Sequence, residues 1–139
     1  MTTWNSGRGP DEFKLFVQAP AQMLTTNAER RIHWGARSRI VRAWRECAWA
    51  CSLGSCRTPS DRPHFDQVMI EAYPQQARGK LADAEAHHPV VKACIDGVVD
   101  AKIIDDDDPS HVLGIIEHPP TRGPDSMTLV IRSVPQGTS

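Results

Sequence analysis

No stretch of this 139-residue chain approaches the ~18 consecutive apolar residues of a membrane-spanning helix. The opening MTTWNSGRGPDEF also lacks the apolar core of a secretory signal. A soluble, cytoplasmic protein is therefore expected, with no membrane partner. Cys-x-x-Cys spacing is missing as well. Cys47, Cys51, Cys56 and Cys94 form neither a zinc-ribbon pattern nor a secreted disulfide framework, so they read as small buried apolar residues and free thiols. There is no internal repeat and no low-complexity tract.

Net charge is also scarce, at −1, but the two ends of the chain differ sharply. Residues 1–82 hold 12 of the 16 lysines and arginines and 7 of the 17 acidic residues, a balance of +5; residues 83–139 stand at −6. One basic and one acidic half suit a protein that grips a polyanion and sets metal against it. They equally suit two halves that neutralise each other on folding, or a surface for assembly with protein.

With 40% hydrophobic residues, the length fits one globular domain spanning 1–139, with loose tails at 1–12 and 135–139. Prolines divide it into segments. Phe13–Val17 reads as a strand. A long helix is expected from about Ala28 to Leu53, with Ile40, Val41, Trp44, Cys47, Ala48 and Cys51 on one face and Thr26/Glu29 as a capping box. The Ser/Gly/Pro-rich stretch Ser52–Pro63 is a loop, and His64–Tyr73 a strand stopped by Pro74. Pro89 opens a second helix whose Val90, Val91, Cys94, Ile95, Val98 and Val99 recur at helical spacing. His111–Glu117 and Met127–Val134 read as strands joined by a Pro/Gly turn. The order β-α-β-α-β-β predicts a mixed α/β (α+β) domain, with two helices packed on one face of a four-strand sheet.

Two constellations could carry chemistry. Arg39, Arg42 and Arg45 recur every three residues opposite the apolar stripe, with Trp49 on their side and Arg30, Arg31, His33 and Arg37 before them. Guanidinium forks suit phosphate oxygens, and a row of them marks either a phosphate-backbone surface or a merely solvated helix face. Arg37, nearer the apolar side, is expected to pair internally or at a subunit contact. The second constellation is acidic. If the segment before Pro89 is extended, Asp83 and Glu85 point to one side, near Lys92 in the next helix. Mg²⁺ takes such hard oxygen ligands and can activate water against a phosphodiester, while a lysine neutralises the phosphate. The run Asp105-Asp106-Asp107-Asp108 is a solvated turn or the source of a further ligand. Lys92 and Asp96 also have the spacing of an ordinary helix-surface ion pair. His87 and His88 are read as helix-start residues, since imidazole is not what Mg²⁺ prefers.

Taken in order, Asn27-Ala-Glu-Arg-Arg-Ile-His-Trp34 leading to Arg42-Ala-Trp-Arg45, the pair Asp83/Glu85, and Lys92-Ala-Cys-Ile-Asp-Gly-Val-Val-Asp-Ala101 before the Asp run resemble the RusA family of Holliday-junction resolvases. The likeness covers roughly Thr25 to Val112. These are small Mg²⁺-dependent endodeoxyribonucleases, often carried by phages and prophages. The resemblance implies a homodimer that nicks opposed strands of a four-way DNA junction in recombination and repair, in the cytoplasm of a bacterium or phage-infected host. It implies Mg²⁺, with Mn²⁺ as a substitute, and no small-molecule cofactor. Asp83 matches the first aspartate of the family's D-x-D-N motif, Glu85 stands at the second, and Lys92 matches the catalytic lysine. Asp106 and Asp107 match an Asp-Asp pair, with Asp107 the preferred metal ligand; the other carboxylates of the run are then turn residues. Asn27, Arg30, Arg31, Trp34, Arg39, Arg42 and Arg45 are the implied DNA contacts. Three positions depart from the pattern: Glu85 for aspartate, Ala86 for asparagine, and Lys102 for a glycine after the helix. These changes leave room for a junction-binding relative with weakened catalysis.

Overall fold

A computed structural model describes residues 11–54 and 62–134. The chain runs β1 (Glu12–Gln18), α1 (Thr26–Glu29), α2 (Trp34–Gly54), β2 (Val68–Gln76), α3 (His88–Asp100), β3 (Val112–Glu117), β4 (Thr121–Arg122) and β5 (Ser126–Ser133). The mixed α+β class holds, with one more strand and one more helix than the sequence suggests. Glu12 already belongs to β1 and Asp11 is described beside it, while Cys56 and the remaining tail residues, 1–10 and 135–139, lie outside the described residues.

The sheet order is β1-β5-β2-β3, with β4 added alongside β2. β5 is antiparallel to both β1 and β2, whereas β3 and β4 run parallel to β2. β3 and β5 therefore do not form a hairpin; they flank β2. Pro74 does not stop β2 as expected. Pairing with β3 ends at Ala72↔Glu117 and pairing with β4 starts at Gln75↔Thr121, so Pro74 falls in the interval between partners. A missing N–H is tolerated there.

The expected first helix is two helices. Thr25, not Thr26, caps α1, its Oγ1 accepting from Ala28 N at 3.1 Å. Glu29 is consequently free to meet Arg37 at 2.5 Å. The chain breaks at Arg30–His33, and His33 Nδ1 accepts from Gly35 N at 3.0 Å, capping the start of α2. Along α2, Trp44, Ala48 and Ser52 are buried, with Ile40, Val41, Cys47 and Cys51 packed at the margin. Trp44 Nε1 donates to Gln22 O at 2.9 Å, which satisfies its one polar atom.

α3 is the central element. Pro89, Val90, Val91, Ala93, Cys94, Ile95, Gly97 and Val98 are all buried, because side chains of α3 face both the inner side of the sheet and α2. Gly97 permits the α2 crossing: a Cβ there would lie 2.4 Å from Arg45 O and 2.7 Å from Ala48 Cβ. With so much of α3 buried, its polar residues are confined to one narrow stripe of His88, Lys92, Asp96 and Asp100 at four-residue spacing.

The outer face of the sheet has no helix over it among the described residues. It carries a polar knot in which Glu71 accepts from Tyr73 Oη at 2.8 Å and from Arg132, and meets His118 Nε2 at 2.9 Å. His118 and Tyr73 stack at 4.3 Å. The bond from His118, then those from Tyr73 and Arg132, holds the Glu71 carboxyl down to about 2.

Candidate functional site: the charged stripe of α3 and the aspartate run

The four aspartates separate into four roles. α3 ends at Asp100 with Ala101 as its C-cap, and Lys102 follows in the left-handed region with φ 66°. Lys102 N donates to Val99 O at 2.9 Å and Ile103 N to Val98 O at 3.2 Å, the paired bonds of a Schellman stop. Ile103 and Ile104 then drop into the core and bring the run back along α3. Asp105 Oδ1 lies 2.9 Å from His64 Nε2. Asp106 Oδ1 accepts from Asp107 N at 2.7 Å. Asp107 pairs with Lys92, 15 residues earlier. Asp108 is the turn residue, taking bonds from Ser110 N, Ser110 Oγ and His111 N. The expectation that all but Asp107 are simply turn is thus corrected at Asp105, which has a partner of its own.

Lys92 is the hub of the stripe. Its Nζ donates to Asp96 Oδ1 at 2.7 Å as well as to Asp107, so the helix ion pair and the longer-range contact coexist. Burial works to lower the Lys92 pKa, but the hydrogen bonds and charges of the two carboxylates outweigh it, and the net shift is upward. Asp107 moves the other way, held below the usual carboxylate range first by the Lys92 bond. One helical turn on, Arg45 of α2 forks onto Asp100 at 2.7 and 2.9 Å. The Asp100 bond raises the Arg45 pKa, and Asp96 and Asp107 add to it through space. Lys92, Arg45, Asp96, Asp100 and Asp107 therefore form one electrostatic group. The oxygens of Asp96 and Asp107 converge on a single cation, the Lys92 ammonium. Two such hard donors fit Mg²⁺, which is commonly held by one or two carboxylates with water and substrate phosphate.

Asp83 and Glu85 share no side-chain hydrogen bond or ion pair with this group among the described residues. The segment is not extended: Glu85 has φ 69°, and residues 84–87 turn into α3. Thr26 N donates to Ala86 O at 2.9 Å, docking the start of α1 onto this turn. Both acids are exposed and, with Thr25, Thr26 and Asn27, line a cavity of about 210 Å³. Asp83, Glu85 and Asp107 do not gather within 4.8 Å of one another. His87 occupies the N-cap position without a side-chain capping bond. It is buried, with Nδ1 3.3 Å from Leu24 O. His88 instead meets Glu117 at 2.6 Å, at the start of the stripe.

The arginine row lies as expected. Arg39, Arg42 and Arg45 are exposed on α2, and a cavity of about 390 Å³ between Arg37, Arg42, Arg45 and Asp100 joins the row to the α3 stripe. Arg37 is taken by Glu29. Arg30, Arg31 and Asn27 are exposed around α1, and Trp34 is 73% exposed, with its ring 5.7 Å from His33. Trp49 is exposed further along α2.

The sequence reading missed one constellation. His64, Asp66 and Asp105 bring three ligand atoms within 4.8 Å of one another on the surface, an arrangement that could hold a metal ion. The local signal was the alternation His64-Phe65-Asp66, which puts two donors on one side of an extended segment; the third arrives only through the fold. No helix among the described residues is long and apolar enough to cross a membrane. No protein-family model matches the chain, and no curated protein matches its sequence.

Proposed function

We infer that the protein is a metal-dependent endodeoxyribonuclease that acts on branched DNA, cutting four-way junctions in the manner of the RusA family. The observation that carries this reading is the meeting of Lys92 with Asp107 across 15 residues, on a surface continuous with Arg45 and the α2 arginines. Arg39 and Arg42 would hold phosphate oxygens along the backbone, which positions the duplex without reading its sequence. Arg30, Arg31, Asn27 and Trp34 extend that surface around α1. A phosphate brought to the stripe competes with Asp96 and Asp107 for the Lys92 ammonium. Lys92 stays protonated near neutral pH, so it can exchange a carboxylate partner for a phosphate oxygen and neutralise charge there. The two released carboxylates would then hold Mg²⁺, or Mn²⁺ in its place, which supplies an activated water and stabilises the leaving oxygen. Paired symmetric nicks call for two such surfaces, hence a homodimer.

One observation favours a second reading, a junction-binding protein with little catalysis. Asp83 and Glu85, the expected partners of Asp107, are not gathered with it. Nicking of a labelled, immobile four-way junction in Mg²⁺ separates the two, with linear duplex as control. Wild type should give paired nicks, and Asp107→Asn should lose at least about 100-fold in rate while still binding, the scale of losing one electrostatic group at a reacting phosphate. Asp83→Asn should lose less. Tight binding with no cutting in Mg²⁺ or Mn²⁺ would establish the second reading and overturn the first.

A further inference from the structure

Three donors converge at a place that neither the arginine row nor the Lys92 stripe uses. We propose that His64, Asp66 and Asp105 form a binding site for a borderline divalent cation of the zinc class, separate from the Lys92 centre. Backbone pairing builds the site before any ion arrives. Phe65 N donates to Ile103 O at 2.9 Å, and Phe65 bridges Ile104 in parallel register. Phe65, Ile103 and Ile104 are all buried, which anchors both segments to the core. Because side chains alternate along extended chain, burying Phe65 turns His64 and Asp66 together to the outside, and burying Ile104 turns Asp105 to meet them.

The separations suit an ion. Two donors on a tetrahedral zinc-class ion, each ~2.0–2.2 Å from it, lie about 3.4 Å apart. His64 Nε2 and Asp105 Oδ1, at 2.9 Å, need only open slightly, and the third atom is already within 4.8 Å of both. Asp66 makes no side-chain hydrogen bond or ion pair among the described residues, and its carboxylate lies beside that of Asp105, whose one side-chain bond is to the His64 imidazole while Lys102 and His111 act on it only through space. Like charges placed together in this way gain from a cation between them.

The donor set decides the class of ion. One imidazole nitrogen and two carboxylate oxygens favour Zn²⁺, Co²⁺ or Mn²⁺ over Mg²⁺, which prefers oxygen alone. Three protein ligands leave a coordination position to solvent or to a further ligand. A bound ion would fasten the segment before β2 to the chain leaving α3, two residues from Asp107.

Co²⁺ titration of the intact protein, followed by visible absorption, tests the site without reference to DNA cutting. The expected result is one Co²⁺ per chain in a nitrogen/oxygen environment, displaced by Zn²⁺ and retained in Asp107→Asn. His64→Ala and the near-isosteric Asp66→Asn should each weaken binding by more than the ~10–100-fold that outer-shell partners contribute. Both positions are exposed, so folding should survive the changes. Absence of binding, a thiolate-to-cobalt charge-transfer band placing the ion on cysteine, or unchanged affinity in both variants would each overturn the proposal. Because Asp107→Asn is expected to keep this ion and lose nicking, the two readings fail separately.

Discussion

Replacing Lys102 by glycine should stabilise the protein, although it removes a charged side chain. Lys102 holds φ 66° as the residue after the α3 cap, and both Schellman bonds depend on that conformation. An L-residue with a Cβ is less stable there by about 1–2 kcal/mol, and glycine is not penalised. Against this, glycine gives the unfolded chain extra freedom, worth about 0.4–1 kcal/mol. Lys102 is exposed and makes no side-chain hydrogen bond among the described residues; its charge acts on Asp100 and Asp105 only through space. The net expectation is a gain of about 0.5–1 kcal/mol, roughly 2–3 °C in Tm for a domain of this size. Urea denaturation followed by Trp fluorescence reads the change, since Trp44 is fully buried. Lys102→Ala is the decisive control. It removes the same charge but keeps a Cβ at positive φ, so it should be no more stable than wild type. If Lys102→Gly is no more stable than Lys102→Ala, backbone strain at the end of α3 is not the operating effect and the reasoning fails.

Gly97→Ala should destabilise by about 1–3 kcal/mol through overpacking, because the new methyl meets the Arg45 carbonyl and the Ala48 side chain, and neither can retreat without moving α2 off α3; an unchanged denaturation midpoint would show that the helices separate freely. Glu71 has a folded pKa of about 2 against an ordinary 4.5, so its network adds stability that is complete above about pH 4.5 and disappears as pH falls towards 2. The stability gap between wild type and Glu71→Gln should accordingly close over that window, and a gap independent of pH would contradict it. For DNA binding, Arg39→Ala and Arg42→Ala should each lower the slope of log affinity against log salt by about 1, uniformly across sequences. A filter-binding or anisotropy titration that shows no salt dependence in wild type would point instead to a protein-interaction surface.

Apolar periodicity located the elements well where one face of a segment meets the core. The valines of α3 and the strand at Phe13–Val17 needed nothing beyond the sequence. The misses have identifiable causes. The break at Arg30–His33 arises because Thr25 and His33 each cap a separate start, and side-chain caps leave only a faint pattern in a chain with threonine and histidine elsewhere. Continuation of β2 through Pro74 depends on two different strands sharing one of its edges, which is a property of the sheet and not of the segment. Asp83 and Glu85 were placed with Lys92 on the premise of an extended segment, and the positive φ of Glu85 removes that premise.

The aspartate run shows why composition alone could not assign the site. Four identical side chains in sequence have four environments, because each belongs to a different piece of backbone geometry. Asp105 follows a buried bridge and is turned towards His64; Asp106 caps the amide of its neighbour. Asp107 faces α3 because the Schellman stop reverses the chain, and Asp108 closes the turn into β3. The buried pair Ile103-Ile104 sets that phase. Adding or deleting one residue between Ile104 and Asp107 would shift it and hand Lys92 a different aspartate. The stripe on α3 is selected in the same way: burying two sides of the helix leaves only positions four apart for charge. Chemistry here is confined by packing, so the core residues around Lys92 determine the site as much as the charged ones do.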